Sequence, residues 1–138
     1  MRSTIFSLVS FVVIFLSACT KNKTSLSGHY TGTFKSTSPR GNGATAHVTL
    51  NLIGNNYTGT TDITTTTPLI TAYPEICQGT WTPEKGHIKF TNTCFFTANT
   101  NLEFLLDGDY DYSTNGKHLT LTITKDSYTQ TYELEKQE

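Results

Sequence analysis

Ala44-Thr45-Ala46-His47-Val48-Thr49-Leu50-Asn51-Leu52-Ile53 alternates apolar and polar side chains along its length. Successive residues of a strand point to opposite faces. Ala46, Val48, Leu50 and Leu52 therefore share one face, and Thr45, His47, Thr49 and Asn51 share the other. Gly54-Asn55-Asn56 follows, and Gly and Asn tolerate the positive φ of a tight hairpin. The stretch reads as a half-buried strand running into a turn.

The same pattern extends in both directions. Upstream, 28–36 places Tyr30, Gly32 and Phe34 on one face and His29, Thr31, Thr33 and Lys35 on the other, before a turn at 38–43. Downstream, 57–63 forms a third strand. Residues 64–74 hold Thr64-Thr65-Thr66-Thr67-Pro68 and Pro74; proline cannot donate to a ladder, so this segment reads as a loop. Strands at 76–82 and 87–92 flank Pro83-Glu84-Lys85-Gly86, which suits a type I turn. That turn sets Thr82 opposite His87, Trp81 opposite Ile88, Gly79 opposite Phe90 and Cys77 opposite Asn92. A sixth strand at 102–112 puts Leu102, Phe104, Leu106, Gly108, Tyr110 and Tyr112 on one face. Glu103, Leu105, Asp107, Asp109 and Asp111 fall on the other. Thr114-Asn115-Gly116 turns into 117–125, whose Leu119, Leu121 and Ile123 point inward. Asp126-Ser127 leads to 128–135, where Tyr128, Gln130, Tyr132 and Leu134 alternate with Thr129, Thr131 and Glu133.

Eight short strands joined mostly by hairpins make an all-β, antiparallel meander. Closing it into an up-and-down barrel removes both exposed edges. A two-layer sandwich is the alternative. An eight-stranded barrel either fills its interior with side chains or holds one small ligand.

Composition narrows the function. Lys and Arg total 10 against 11 Asp and Glu in 138 residues, a formal charge of −1 that loss of Arg2 would take to −2. No basic face for nucleic acid is expected. Aromatics reach 12% and charged residues 15%. Abundant Thr, Tyr, Phe and Ile favour pleated strands.

The N-terminus carries an address. Arg2 precedes an apolar run at 5–16, too short to span a bilayer, which takes roughly 20 residues. The run ends in Leu16-Ser17-Ala18-Cys19, which resembles the lipobox of bacterial lipoproteins. The resemblance implies a signal peptide at 1–18 beginning with an N-terminal signal helix, and acylation of Cys19 as the mature first residue. A polar tether at 19–27 and a domain at 28–136 would follow. It also implies a cell-envelope partner, the membrane, held through the N-terminal lipid. Thr20 follows Cys19 where many bacteria use Asp for inner-membrane retention, so the expected place is the outer membrane, on its periplasmic face or surface.

Cys77 and Cys94 remain. In an exported domain an even pair suggests one disulfide. Free thiols or a metal site are the alternatives, but no third or fourth ligand at metal spacing accompanies them.

Gly28-His29-Tyr30 opens the first strand where lipocalins carry Gly-x-Trp. Cys77-Gln78-Gly79-Thr80-Trp81, Ile88-Lys89-Phe90 and Leu106-Asp107-Gly108-Asp109-Tyr110 add to the pattern. Over about 27–136 the chain resembles the lipocalin-like domain of small Bacteroidota lipoproteins. The resemblance implies a meander barrel and, where ligands are known, small apolar ones.

The chemistry-bearing residues are sparse. His29, His47, His87 and His118 each neighbour an inward residue and so point outward, away from any cleft that a general base needs. No Gly-x-Ser-x-Gly occurs, and no catalytic residue or cofactor is expected. Asp107, Asp109 and Asp111 begin like a calcium loop, but the sixth position is Tyr112 instead of Gly, so a solvated acidic face is expected. The inward aromatics Tyr30, Phe34, Tyr57, Trp81, Phe90, Phe104, Tyr110 and Tyr132 are either a packed core or the lining of a cavity for a small apolar ligand. Gly32, Gly59, Gly79 and Gly108 on the same faces would make room or ease bending. Two functions follow: a lipid-anchored barrel that carries a small hydrophobic ligand, or a non-enzymatic interaction or inhibitor lipoprotein with a solid core that contacts an envelope protein.

Overall fold

The computed structural model describes residues 25–39, 43–62, 74–96 and 102–138. The eight strands are β1 (Gly28–Thr37), β2 (Gly43–Ile53), β3 (Asn56–Asp62), β4 (Gln78–Glu84), β5 (His87–Asn92), β6 (Gly108–Asn115), β7 (His118–Lys125) and β8 (Tyr128–Lys136). Each pairs antiparallel with its neighbour in sequence, and β8 closes onto β1. The meander is thus a closed barrel, and the sandwich alternative falls. The signal segment at 1–18 and Cys19 lie outside the described residues, as does most of the loop at 64–74.

The alternating pattern works as expected in β2, where Ala44, Ala46, Val48, Leu50 and Leu52 are all buried. Phe34 pairs with Ala46 on one side and Tyr132 on the other, so large and small side chains interlock across three strands. Outside, the ladder is threonine and charge. Thr49 and Thr60 share a 2.8 Å hydroxyl contact, and Lys35 pairs with Glu133 at 2.6 Å.

Two expectations fail. The β4–β5 register is displaced by two residues: Trp81 pairs with Phe90 and Glu84 with His87. The turn is Lys85-Gly86 alone, and Gly86 takes φ +82°, which glycine adopts without a Cβ clash. Pro83 therefore sits inside a strand. Its missing N–H costs no ladder bond, because the Trp81 N–H already makes the last bond to the β3 side, at Asn55. Two residues on, no strand lies beside β4 on that side.

The sixth strand starts at Gly108, not at 102. Phe104, Leu105 and Leu106 are buried in succession, while Leu102 is 65% exposed, a pattern that no strand allows. Leu102–Phe104 is a 3₁₀ turn. It interlocks with 74–77 through Glu75 N–H to the Phe104 carbonyl (3.3 Å) and Leu106 N–H to the Glu75 carbonyl (3.3 Å).

Candidate functional site

The barrel has two unlike ends. The chain enters at Gly28, beside Leu52. At that end lie the two-residue hairpin tips Gly54-Asn55, Lys85-Gly86 and Gly116-Lys117, together with Lys136. The opposite end carries the long connections from β3 to β4 and from β5 to β6, and the Asp126-Ser127 turn.

Seven rings form one unbroken edge-to-face chain across the interior. Tyr57 meets Phe90 (5.2 Å between centroids), Phe90 meets Tyr110 (5.6 Å), and Tyr110 meets Tyr132 (6.0 Å). Tyr132 then meets Phe34 (4.9 Å), Phe34 meets Phe104 (6.3 Å), and Phe104 meets Tyr128 (5.3 Å). Such pairs each add about 0.5–1.5 kcal/mol beyond burial. Tyr30 and Trp81 lie outside this chain but in the same core. The eight aromatics read as candidate cavity lining are thus brought together, and none is more than 5% exposed. Among the described residues their surfaces meet other side chains, and the hollows found beside Thr31–Thr33 and at Ser27–His29 are bordered by none of the eight. Gly79 leaves no room among them either. A Cβ on Gly79 would stand 2.1 Å from the Thr91 carbonyl oxygen and 2.7 Å from the Tyr57 ring, so the space is already taken.

Both ends are stoppered. At the entry end Leu26 joins the core, and its carbonyl accepts the Tyr30 hydroxyl at 2.8 Å. Lys136 Nζ donates to the Ser25 carbonyl (3.2 Å) and to that of Ser27, and lies 5.9 Å over the Tyr30 ring. At the opposite end Ile76, Phe104 and Leu106 close the barrel. Leu26 stood in the tether on sequence grounds. Its signal was that no other apolar residue occurs between Cys19 and Gly28.

Beneath the opposite stopper runs a line of polar groups that alternation alone does not reveal. Tyr57 donates to the Leu106 carbonyl at 2.8 Å, and Tyr110 to the Leu105 carbonyl at 3.4 Å. Asp107 turns inward from the acidic series and accepts the Asn92 N–H at 2.8 Å. Lys125 Nζ reaches the Asp107 carbonyl at 2.6 Å. Gln130, wholly buried, donates to the Glu103 carbonyl at 2.7 Å, and its oxygen makes no hydrogen bond. The Tyr132 hydroxyl makes none either, although it faces that of Tyr110. Burial raises the pKa of Tyr57, Tyr110 and Tyr132, and it lowers that of Lys125 against the opposing pull of Asp107. These hydroxyls stay neutral, and those of Tyr57 and Tyr110 tie the stopper down.

The remaining expected residues are on the surface. All four histidines are exposed, and His87 pairs with Asp111 at 2.9 Å. Asp109 and Asp111 face outward, while Asp107 does not share their face. Cys77 and Cys94 are joined in a disulfide, their Cα atoms 6.4 Å apart, which ties the two long connections together. Among the described residues no group of three metal-ligating side chains converges. No family model, curated protein or solved structure matches the chain.

Proposed function

We propose that this chain is a non-enzymatic lipoprotein of the cell envelope, acylated at Cys19, whose solid barrel serves as a rigid scaffold for contact with another envelope component. The observation that carries this reading is the unbroken chain of seven rings, stoppered at one end by Leu26 and at the other by Phe104. A carrier of a small apolar ligand would need the room that these side chains occupy. Recognition then falls to the outer threonine ladder and to the disulfide-tied connections, where Phe95 is fully exposed. The outer membrane is the expected location, on the lipobox resemblance.

Native mass spectrometry of the protein taken from bacterial membranes tests the reading. The expected species carries acyl chains on Cys19 and nothing in its barrel. A co-purifying apolar molecule that survives removal of the acylated N-terminus would overturn the solid-scaffold reading. An unacylated Cys19 would overturn the lipoprotein reading.

A further inference from the structure

We infer that the entry end of the barrel rests on the lipid surface and that the disulfide-tied end points away from it. This rests on the reading of Cys19 as the acylated residue. The argument begins with reach. Only residues 20–24 separate Cys19 from Ser25, whose carbonyl is already held on the barrel by Lys136. Six Cα steps span at most about 20 Å. The ten residues of β1 cover about 33 Å along the strand, or roughly 25 Å along the axis at the usual tilt of barrel strands. A barrel standing on its far end would lift Ser25 beyond that reach, so an anchored Cys19 draws the entry end toward the headgroups.

The surfaces agree with that direction. At the entry end Ile53 is 72% exposed beside the Gly54-Asn55 tip, an apolar side chain with no partner within the chain's own core. The other two tips each bear a lysine, Lys85 and Lys117. Charges there are near balance, since Lys117 pairs with Glu138 and Glu84 adjoins Lys85. Among the described residues the opposite end carries four carboxylates, Asp62, Glu75, Glu103 and Asp126, beside one ammonium, that of Lys125. Anionic headgroups repel that end and accept lysine and isoleucine at the other. The occupant of the entry end is thus the bilayer that holds the anchor.

The test uses the mature chain from Cys19. With Cys77 and Cys94 in a disulfide, Cys19 is its one free thiol, and a maleimide lipid couples there. The conjugate is placed in nanodiscs of phosphatidylethanolamine and phosphatidylglycerol doped with a gadolinium-chelating lipid. The expected result is that amide signals of Ile53, Gly54 and Gly86 lose intensity first, while those of Phe95 and Asp126 persist. In Ile53→Glu the contrast shrinks although the lipid stays attached. Equal loss at both ends, or greater loss at Asp126, would overturn the orientation. Because the lipid is synthetic, this outcome is independent of whether cells acylate Cys19; a bare Cys19 in cells overturns the lipoprotein reading instead.

Discussion

Cys77 and Cys94 stand face to face two residues beyond the last ladder pair of β4 and β5, Gly79 with Asn92, and their Cα atoms are 6.4 Å apart. The Thr93 N–H bond to the Gln78 carbonyl carries the same register across the gap. The bridge thus continues the ladder covalently where hydrogen bonding ends. It closes a loop with a sequence separation of 17, and a loop of about that size is worth about 3 kcal/mol in the chain-entropy model. The Cys77→Ser, Cys94→Ser double variant is expected to lose about that much stability in urea while keeping its far-ultraviolet strand signal. Unchanged stability would mean that 74–77 and 102–107 interlock without the bridge.

This pairing also shows where the sequence was readable. Turn chemistry alone, with Pro83 placed outside the strand, made the two cysteines diagonal. The observed register makes them opposite. Proline reads as a strand breaker only when its N–H would face a neighbour, and that depends on how far β3 extends beside β4, which is a tertiary fact. The barrel itself was legible because eight alternating runs leave one apolar face that must be buried. The 102–107 segment was not, since Phe104-Leu105-Leu106 fits alternation in part and its 3₁₀ turn is pinned by a long-range pairing with Glu75. The inward aromatics were legible as a set. Whether they enclosed space was not, because ring-on-ring contacts are settled by volume in three dimensions.

The Tyr57 and Tyr132 hydroxyls make opposite predictions. Tyr57 satisfies the Leu106 carbonyl, so Tyr57→Phe leaves that buried acceptor one partner short and costs about 1 kcal/mol. The Tyr132 hydroxyl makes no hydrogen bond and is fully buried. Tyr132→Phe is therefore expected to be neutral or to stabilise the protein. Urea midpoints of the two variants check this, and a large loss in Tyr132→Phe would reveal a partner for that hydroxyl.

Alkaline pH probes the same rings. Burial holds the pKa of Tyr57, Tyr110 and Tyr132 above the ordinary value of about 10. The folded state thus keeps protons that the unfolded chain gives up first. The stability from these groups is complete below about pH 10 and falls as pH rises beyond it. Tyrosinate absorbance and circular dichroism followed together are expected to show these three rings ionising only as the strands melt. Their ionisation before unfolding would mean that solvent reaches the core.

Gly79→Ala tests how tightly the strands approach. The added methyl would lie 2.1 Å from the Thr91 carbonyl oxygen, a backbone atom that cannot swing aside, and 2.7 Å from the Tyr57 ring. The expected cost is about 1–3 kcal/mol, in the range of overpacked cores. Thermal unfolding measures it. A variant as stable as the parent would show slack between β4 and β5.

Lys136 is the clasp between the barrel and the segment that leads to Cys19. Its ammonium donates to the carbonyls of Ser25 and Ser27 and lies over the Tyr30 ring, and its N–H bonds to the Lys117 carbonyl at 2.8 Å. Lys136→Met keeps the apolar stem and the backbone bond but removes the donors. About 1 kcal/mol of stability should go with them. The more telling readout is local: hydrogen exchange at 26–28 should quicken while β3 to β5 stay protected. Freed from the clasp, the chain between Cys19 and Gly28 gains several residues of reach, so the lipid-coupled variant should also show weaker headgroup broadening at Ile53. If exchange at 26–28 stays slow, Leu26 alone holds the segment, and the reach available to the coupled lipid is set by its burial.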